Sequence, residues 1–205
     1  DGLKKAGQFE DAKAQLYAGL QIIDMPEFRS NLATILLDEG RLNEAEIHLM
    51  RAIALDPAFA SAYGNLANLR IRQNRPGDAL PLYEKALELD PDFAIAHYNL
   101  AMLLTRKQRF EEAKDHYRRA VTADPNFSEA YRQWGNLLRH LGQLVEAVKR
   151  YESALQADPT NVRVHNDWGE VLTMQGQMEA AIAQFRRALE LAPDYSAARE
   201  NLRRA

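Results

Sequence analysis

Apolar residues along the chain fall on helical stripes. Phe28, Leu32 and Ile35 form one stripe, and Ala96, Leu100 and Leu103 form another, with polar positions between them. That spacing predicts amphipathic helices, and no strand is evident. The stripes recur in register. A large apolar column runs Leu32, Leu66, Leu100, Trp134, Trp168, and a small residue follows each time: Ala33, Ala67, Ala101, Gly135, Gly169. Two alanine columns run Ala45, Ala79, Ala113, Ala147, Ala181 and Ala52, Ala86, Ala120, Ala154, Ala188. Leu49, Tyr83, Tyr117, Tyr151 and Phe185 form a further column. Pro57, Pro91, Pro125, Pro159 and Pro193 close the pattern, 34 residues apart. A strict period of this length marks a stack of similar small units rather than a globule around one core.

Each column has a physical reading. Two helices approach closely only where side chains are small, so the alanines mark crossing points and the large columns fill the space between. Proline excludes the preceding residue from helix, so Asp56, Asp90, Asp124 and Asp158 mark helix ends. Gly40, Gly142 and Gly176 fall between the two helices of a unit, where a left-handed residue ends a helix at least cost. Asn74 is the next-best residue there. Gln108 is a poor one, so its turn is expected to be strained or built differently. Gly77 and Pro81 weaken the second helix of one unit and predict a late start or a kink.

These columns resemble the tetratricopeptide repeat, a helix–turn–helix unit of 34 residues with small residues, aromatics and a late proline at these offsets. The resemblance implies an all-α, right-handed superhelical solenoid of antiparallel helix pairs. Full units are set at 26–59, 60–93, 94–127, 128–161 and 162–195, with a capping helix at 196–205. Residues 1–25 read as a truncated repeat: Gly7, Phe9, Ala12 and Leu16 take the roles of Gly40, Leu42, Ala45 and Leu49, at a spacing of 33. This reading expects a piece of a longer array, and an apolar face around Phe9, Leu16, Leu20 and Ile23 that a second copy could cover.

In this family the polar side of each first helix lines the inner, concave wall. The most regular column there is Asn31, Asn65, Asn99, Gln133, Asp167, followed by Asn201. An amide carries donor and acceptor together and can pair with a peptide backbone whatever its side chains. The ladder resembles that of the repeat arm of O-linked N-acetylglucosamine transferase. Two readings stand open: contact with an extended ligand, or pairing between neighbouring helices. Tyr98, Asn68 and Asn136 share the wall, and Arg72, Arg106, Arg132, Arg139 and His140 form a basic band suited to an acidic segment. The carboxylate clamp known for chaperone tails in this family is not expected, because Gly64, Glu129 and Gln133 stand at its basic positions.

Composition narrows the picture further. Charged residues make up 27% of the chain and the net charge is −3, which gives no bias toward nucleic acid. No apolar run is long enough to span a bilayer, so no membrane insertion is expected. Without cysteine there is neither a disulfide nor a thiolate metal site. The histidines do not converge: His48 and His116 lie two units apart, His97 and His165 sit in a packing column with Tyr63 and Tyr131, and His140 is alone. No cofactor, metal or catalytic residue is expected. The reading is a scaffold that binds a protein or peptide partner in its groove. The alternatives are the substrate-recognising arm of a larger enzyme, such as a glycosyltransferase, or a self-assembling adaptor.

Overall fold

The computed structural model describes residues 2–205, with side chains from Glu10 onward. The chain divides into two compact units between Leu103 and Leu104. The first holds α1 (Gly2–Ile22), α2 (Pro26–Asp38), α3 (Leu42–Leu55), α4 (Ala60–Arg72) and α5 (Pro76–Leu89). The division falls within α6 (Ala94–Arg106). The second unit holds α7 (Phe110–Ala123), α8 (Ser128–His140), α9 (Leu144–Ala157), α10 (Val162–Met174), α11 (Met178–Leu191) and α12 (Ser196–Arg204). The described residues contain no strand.

Within each unit, helices pair as α2 with α3, α4 with α5, α8 with α9 and α10 with α11. Successive first helices also touch: α2 meets α4, α8 meets α10, and α10 meets α12. First helices thus form one layer and second helices the other. Ala33, Ala45, Ala52, Ala67, Ala79 and Ala86 in the first unit, and Ala147, Ala154, Ala181 and Ala188 in the second, have no exposed surface. Leu16 and Leu20 of α1 pack on the cluster of Leu32, Leu36, Leu49 and Leu69. They are already in use, so the apolar face expected at the N-terminal end reduces to Tyr17, Ile22 and Ile23 among the described side chains. Phe9 lies outside those side chains. Leu202 of α12 packs beside Leu172 and Phe185.

The turns carry more hydrogen bonds than the period alone suggests. Each second helix ends on an extended residue, Asp56, Asp90, Asp124 or Asp158, and Ala192 in the last. The aspartate carboxylate accepts the N–H two residues on, from Ala58, Asp92, Asn126 and Thr160. This local turn pairing is a physical reason for Asp before Pro. Tyr63, His97 and Arg199, at equivalent positions of the period, each donate to the carbonyl of the proline six residues earlier.

Three expectations change. Gly7 is inside the continuous helix α1 rather than at a turn, because residues 2–6 extend that helix without folding back. α5 starts at Pro76, not later; Pro76 needs no N–H in the first turn, and Pro81 is accommodated inside the helix. Pro81 withdraws the donor that the Gly77 carbonyl would have used, and both residues are exposed, so water can replace it. Gln108 builds the same turn as the glycines: its φ is 58°, Asn74 has 59° and Gly40 has 75°. The N–H after it bonds back to Leu104 as Arg41 bonds to Leu36. The left-handed backbone costs a non-glycine residue about 1–2 kcal/mol, so the strain is real but the geometry is shared.

Glycine replaces alanine at 135 and 169, directly after Trp134 and Trp168. A Cβ on Gly135 would stand 2.6 Å from the Tyr151 ring, and Tyr151 has no exposed surface. Overpacking of this kind costs about 1–3 kcal/mol. Alanine regains about 1 kcal/mol of helix propensity. Gly135→Ala is therefore expected to lower stability by up to about 2 kcal/mol in urea denaturation, whereas an unchanged midpoint would mean the ring moves freely.

Candidate functional site

The inner-wall side chains lie on the first helices, but most of them face one another. Asn65 donates to Ser30 Oγ at 2.9 Å and Thr34 Oγ1 at 3.3 Å. Asn99 donates to Asn68 Oδ1 at 3.0 Å. Asp167 accepts from Arg132 at 2.7 Å and from Asn136 at 3.2 Å. Asn201 donates to Asn166 at 3.0 Å and to Glu170 at 3.1 Å. The partners are 31 or 35 residues apart each time. Those separations are one repeat less three and one repeat plus one, the neighbours of a helical position on the adjacent helix. The amide column thus ties each of these helices to the one before it. Gln133 differs and donates within its own helix to Glu129 at 3.0 Å. Asn31 is exposed in a shallow pocket with Leu16, Phe28 and Thr34.

The basic band is largely neutralised. Arg72 donates to the Leu37 carbonyl at 2.6 Å and to Asp38 at 2.8 Å, closing the C-terminal end of α2. Arg139 pairs with Glu170. Arg132 is 8% exposed and bonds both Glu129 and Asp167. His140 packs against the Phe110 ring in a tilted arrangement, centroids 5.7 Å apart. Arg106, the last residue of α6, is exposed, and no carboxylate among the described residues pairs with it.

Core tyrosines reach this wall from behind. Tyr83 Oη donates to Asn68 Oδ1 at 2.5 Å, and Tyr151 Oη to Asn136 Oδ1 at 2.7 Å. Each phenol fixes an amide so that its oxygen faces the core, and the Asn136 nitrogen is left to reach Asp167. Burial, reinforced by the negative Asp167, raises the Tyr151 phenol. Half-buried Trp134 packs beneath the Arg150 guanidinium, 4.1 Å from the ring centroid. The described residues hold no cluster of three His, Asp or Glu able to take a metal ion. No described helix is long and apolar enough to cross a membrane.

Burial alone would raise the Glu129 carboxyl, but hydrogen bonds from Arg132 and Gln133 prevail and hold it below its usual value. A folded value below the unfolded one gives stability above the ordinary glutamate range, near ~4.3, and loses it as pH falls through the folded value. Wild type should therefore be more stable than Glu129→Gln at pH 7, with the gap closing on acidification below ~4. Thermal melts of both proteins across pH 7 to 3 check this; a gap that is constant with pH would contradict it.

Sequence models of the tetratricopeptide repeat match residues 24–92, 65–126 and 138–205. No curated protein sequence matches the chain. Among solved structures, PilW, a type IV pilus biogenesis factor, superposes with a TM-score of 0.81 at 19% identity, over 97% of this chain and 93% of that one. PilF of Pseudomonas aeruginosa gives 0.76 at 20%, over 87% of each chain. YrrB, described as a repeat protein with an unusual peptide-binding site, gives 0.67 at 23%, over 90% of this chain and 96% of that one. At these identities the likeness is one of fold. With the family matched over most of its length, and the helix pairs recurring at the same period, the chain belongs to the tetratricopeptide repeat family.

Proposed function

We propose that the protein is an interaction scaffold whose first helices hold an extended segment of a partner protein along the inner wall. One observation supports this above the others: the first-helix layer keeps accessible side chains, including Asn31, Thr34 and Arg72 in the first unit and Arg163 in the second, although neighbouring first helices touch. Side chains in that layer are held by inter-helix pairs, so a ligand meets a pre-organised surface and little ordering cost is added on binding. The peptide-binding site ascribed to YrrB, which shares the fold, is consistent with the same use of the layer.

The amides of Asn65 and Asn99 contribute to this reading as structure rather than as contacts. Their donors are already directed to Ser30, Thr34 and Asn68, so substituting them would disturb the wall as well as any ligand. A cleaner test places photo-crosslinking residues at Thr34, Ile95 and Arg163 on first helices and at Glu84, Arg118 and Glu152, exposed on second helices. Linear peptides selected on the protein from a display library serve as probes. Crosslinks confined to the first-helix positions are expected. Crosslinks confined to the second-helix positions would overturn the proposal.

A further inference from the structure

One member of the inner-layer column stands apart from its equivalents. Asn65, Asn99 and Asn201 are half-buried and Asp167 is buried, and each is bonded to the first helix before it. Asn31 is exposed and has no such partner among the described residues. It lines a cleft of about 550 Å³ between α1 and α2, together with Ala12, Leu16, Phe28, Thr34 and Ile35.

The next repeat shows what covers such a cleft. Ala62, Asn65 and Leu69 on α4 stand where Phe28, Asn31 and Ile35 stand on α2, and Ala45 and Leu49 on α3 stand where Ala12 and Leu16 stand on α1. There α2 packs against both α3 and α4. Ala45, Leu49, Ala62 and Leu69 have no exposed surface, and Asn65 donates to Ser30 and Thr34 of the covering helix. Against α1 and α2 no described helix takes that place, and Ala12, Leu16 and Phe28 are only half-buried. α1 does not fold back to supply it. It runs through Gly7, the counterpart of the Gly40 turn, to Gly2, and is a helix of 21 residues where α3 has 14.

We infer that the α1–α2 cleft receives an amphipathic helix of a partner protein, built on the pattern of this chain's own first helices. Existing inter-helix bonds define that pattern. Ser30 and Thr34 accept from Asn65, Asn68 accepts from Asn99, and Asn166 and Glu170 accept from Asn201. These acceptors flank a large apolar residue followed by a small one: Leu32–Ala33, Leu66–Ala67 and Trp168–Gly169. The ligand signature is therefore such a pair, with a hydroxyl, amide or carboxylate oxygen directly after it and another two positions before its apolar member. The pair enters against Ala12 and Leu16, as Leu32 and Ala33 cluster with Ala45 and Leu49. Burial of Leu16 and Phe28 drives the docking, and the oxygens accept from Asn31 and fix the register. The α12 helix of a second copy does not fit, because Arg203 stands at the small position. The ligand here is a helix, so the inference does not rest on the extended-segment reading above.

The test titrates a synthetic 13-residue peptide with the sequence of α2, Pro26–Asp38, against the full chain. The peptide is stapled into a helix on its polar side, since a helix this short is marginal in water, and it carries a dye for fluorescence anisotropy. Asn31 is exposed and unbonded among the described residues, so Asn31→Ala should melt as wild type does. Saturable binding to wild type is expected. Affinity should fall about tenfold for Asn31→Ala, which removes the donor. It should fall about tenfold or more when the peptide carries Ala33→Phe, which fills the close approach. No saturable binding up to about 1 mM peptide would overturn the inference. So would an affinity that Asn31→Ala leaves unchanged, because a peptide that merely displaced α2 from its own place would not touch Asn31.

Discussion

Close approach of helices at small residues is the constraint from which the rest follows. Ala33, Ala45, Ala67, Ala79, Ala147 and Ala181 have no exposed surface, and wherever they stand the paired backbones come together. That closeness decides the size of everything around it. The ring column, Tyr83, Tyr151 and Phe185, fills the remaining volume, and where tryptophan precedes the small position the alanine itself must yield to glycine. The same closeness carries the tyrosine hydroxyl through the pair to the inner layer, where it sets the orientation of Asn68 and Asn136. In the repeat 162–195 the ring is Phe185, which has no hydroxyl, and Glu170 stands in place of the asparagine.

The inner layer is a second consequence. Once first helices touch, their polar side chains must find partners on the neighbouring helix or stay in water. Asn65, Asn99, Asp167 and Asn201 each bridge to the preceding first helix. These bonds fix the register of one helix against the next and leave the layer stiff. Arg132 takes part in the second unit, held by Glu129 on its own helix and by Asp167 on α10.

Much of the fold was legible in the sequence because the period makes every position comparable with its equivalents. First helices start at Pro26, Ala60, Ala94, Ser128, Val162 and Ser196, 34 residues apart each time. Legibility ended where comparison ended. Gly7 looked like a turn by analogy with Gly40, but a glycine permits a turn without enforcing one, and α1 runs through it. Gln108 looked out of place, yet its neighbours impose the left-handed turn regardless of its own preference. In the candidate site, residue types and helix faces were readable and partners were not. The separations of 31 and 35 residues that join Asn65 to Thr34 and Ser30 were present in the sequence. They acquire meaning only when adjacent first helices are known to touch. The exposed arginines read as one basic band for the same reason, since the carboxylates that neutralise Arg72 and Arg139 lie a full repeat away.

The central claim is that inner-layer polar side chains act as clamps between consecutive first helices. A double-mutant cycle on Arg132 and Asp167 tests it most directly, with Arg132→Ala, Asp167→Ala and the double variant compared by urea denaturation. Both side chains are largely shielded from solvent, so the cycle should show coupling of about 1–3 kcal/mol. The same cycle on exposed Arg72 and Asp38 should give less than about 1 kcal/mol. Additive single-variant effects at Arg132 and Asp167 would contradict the account.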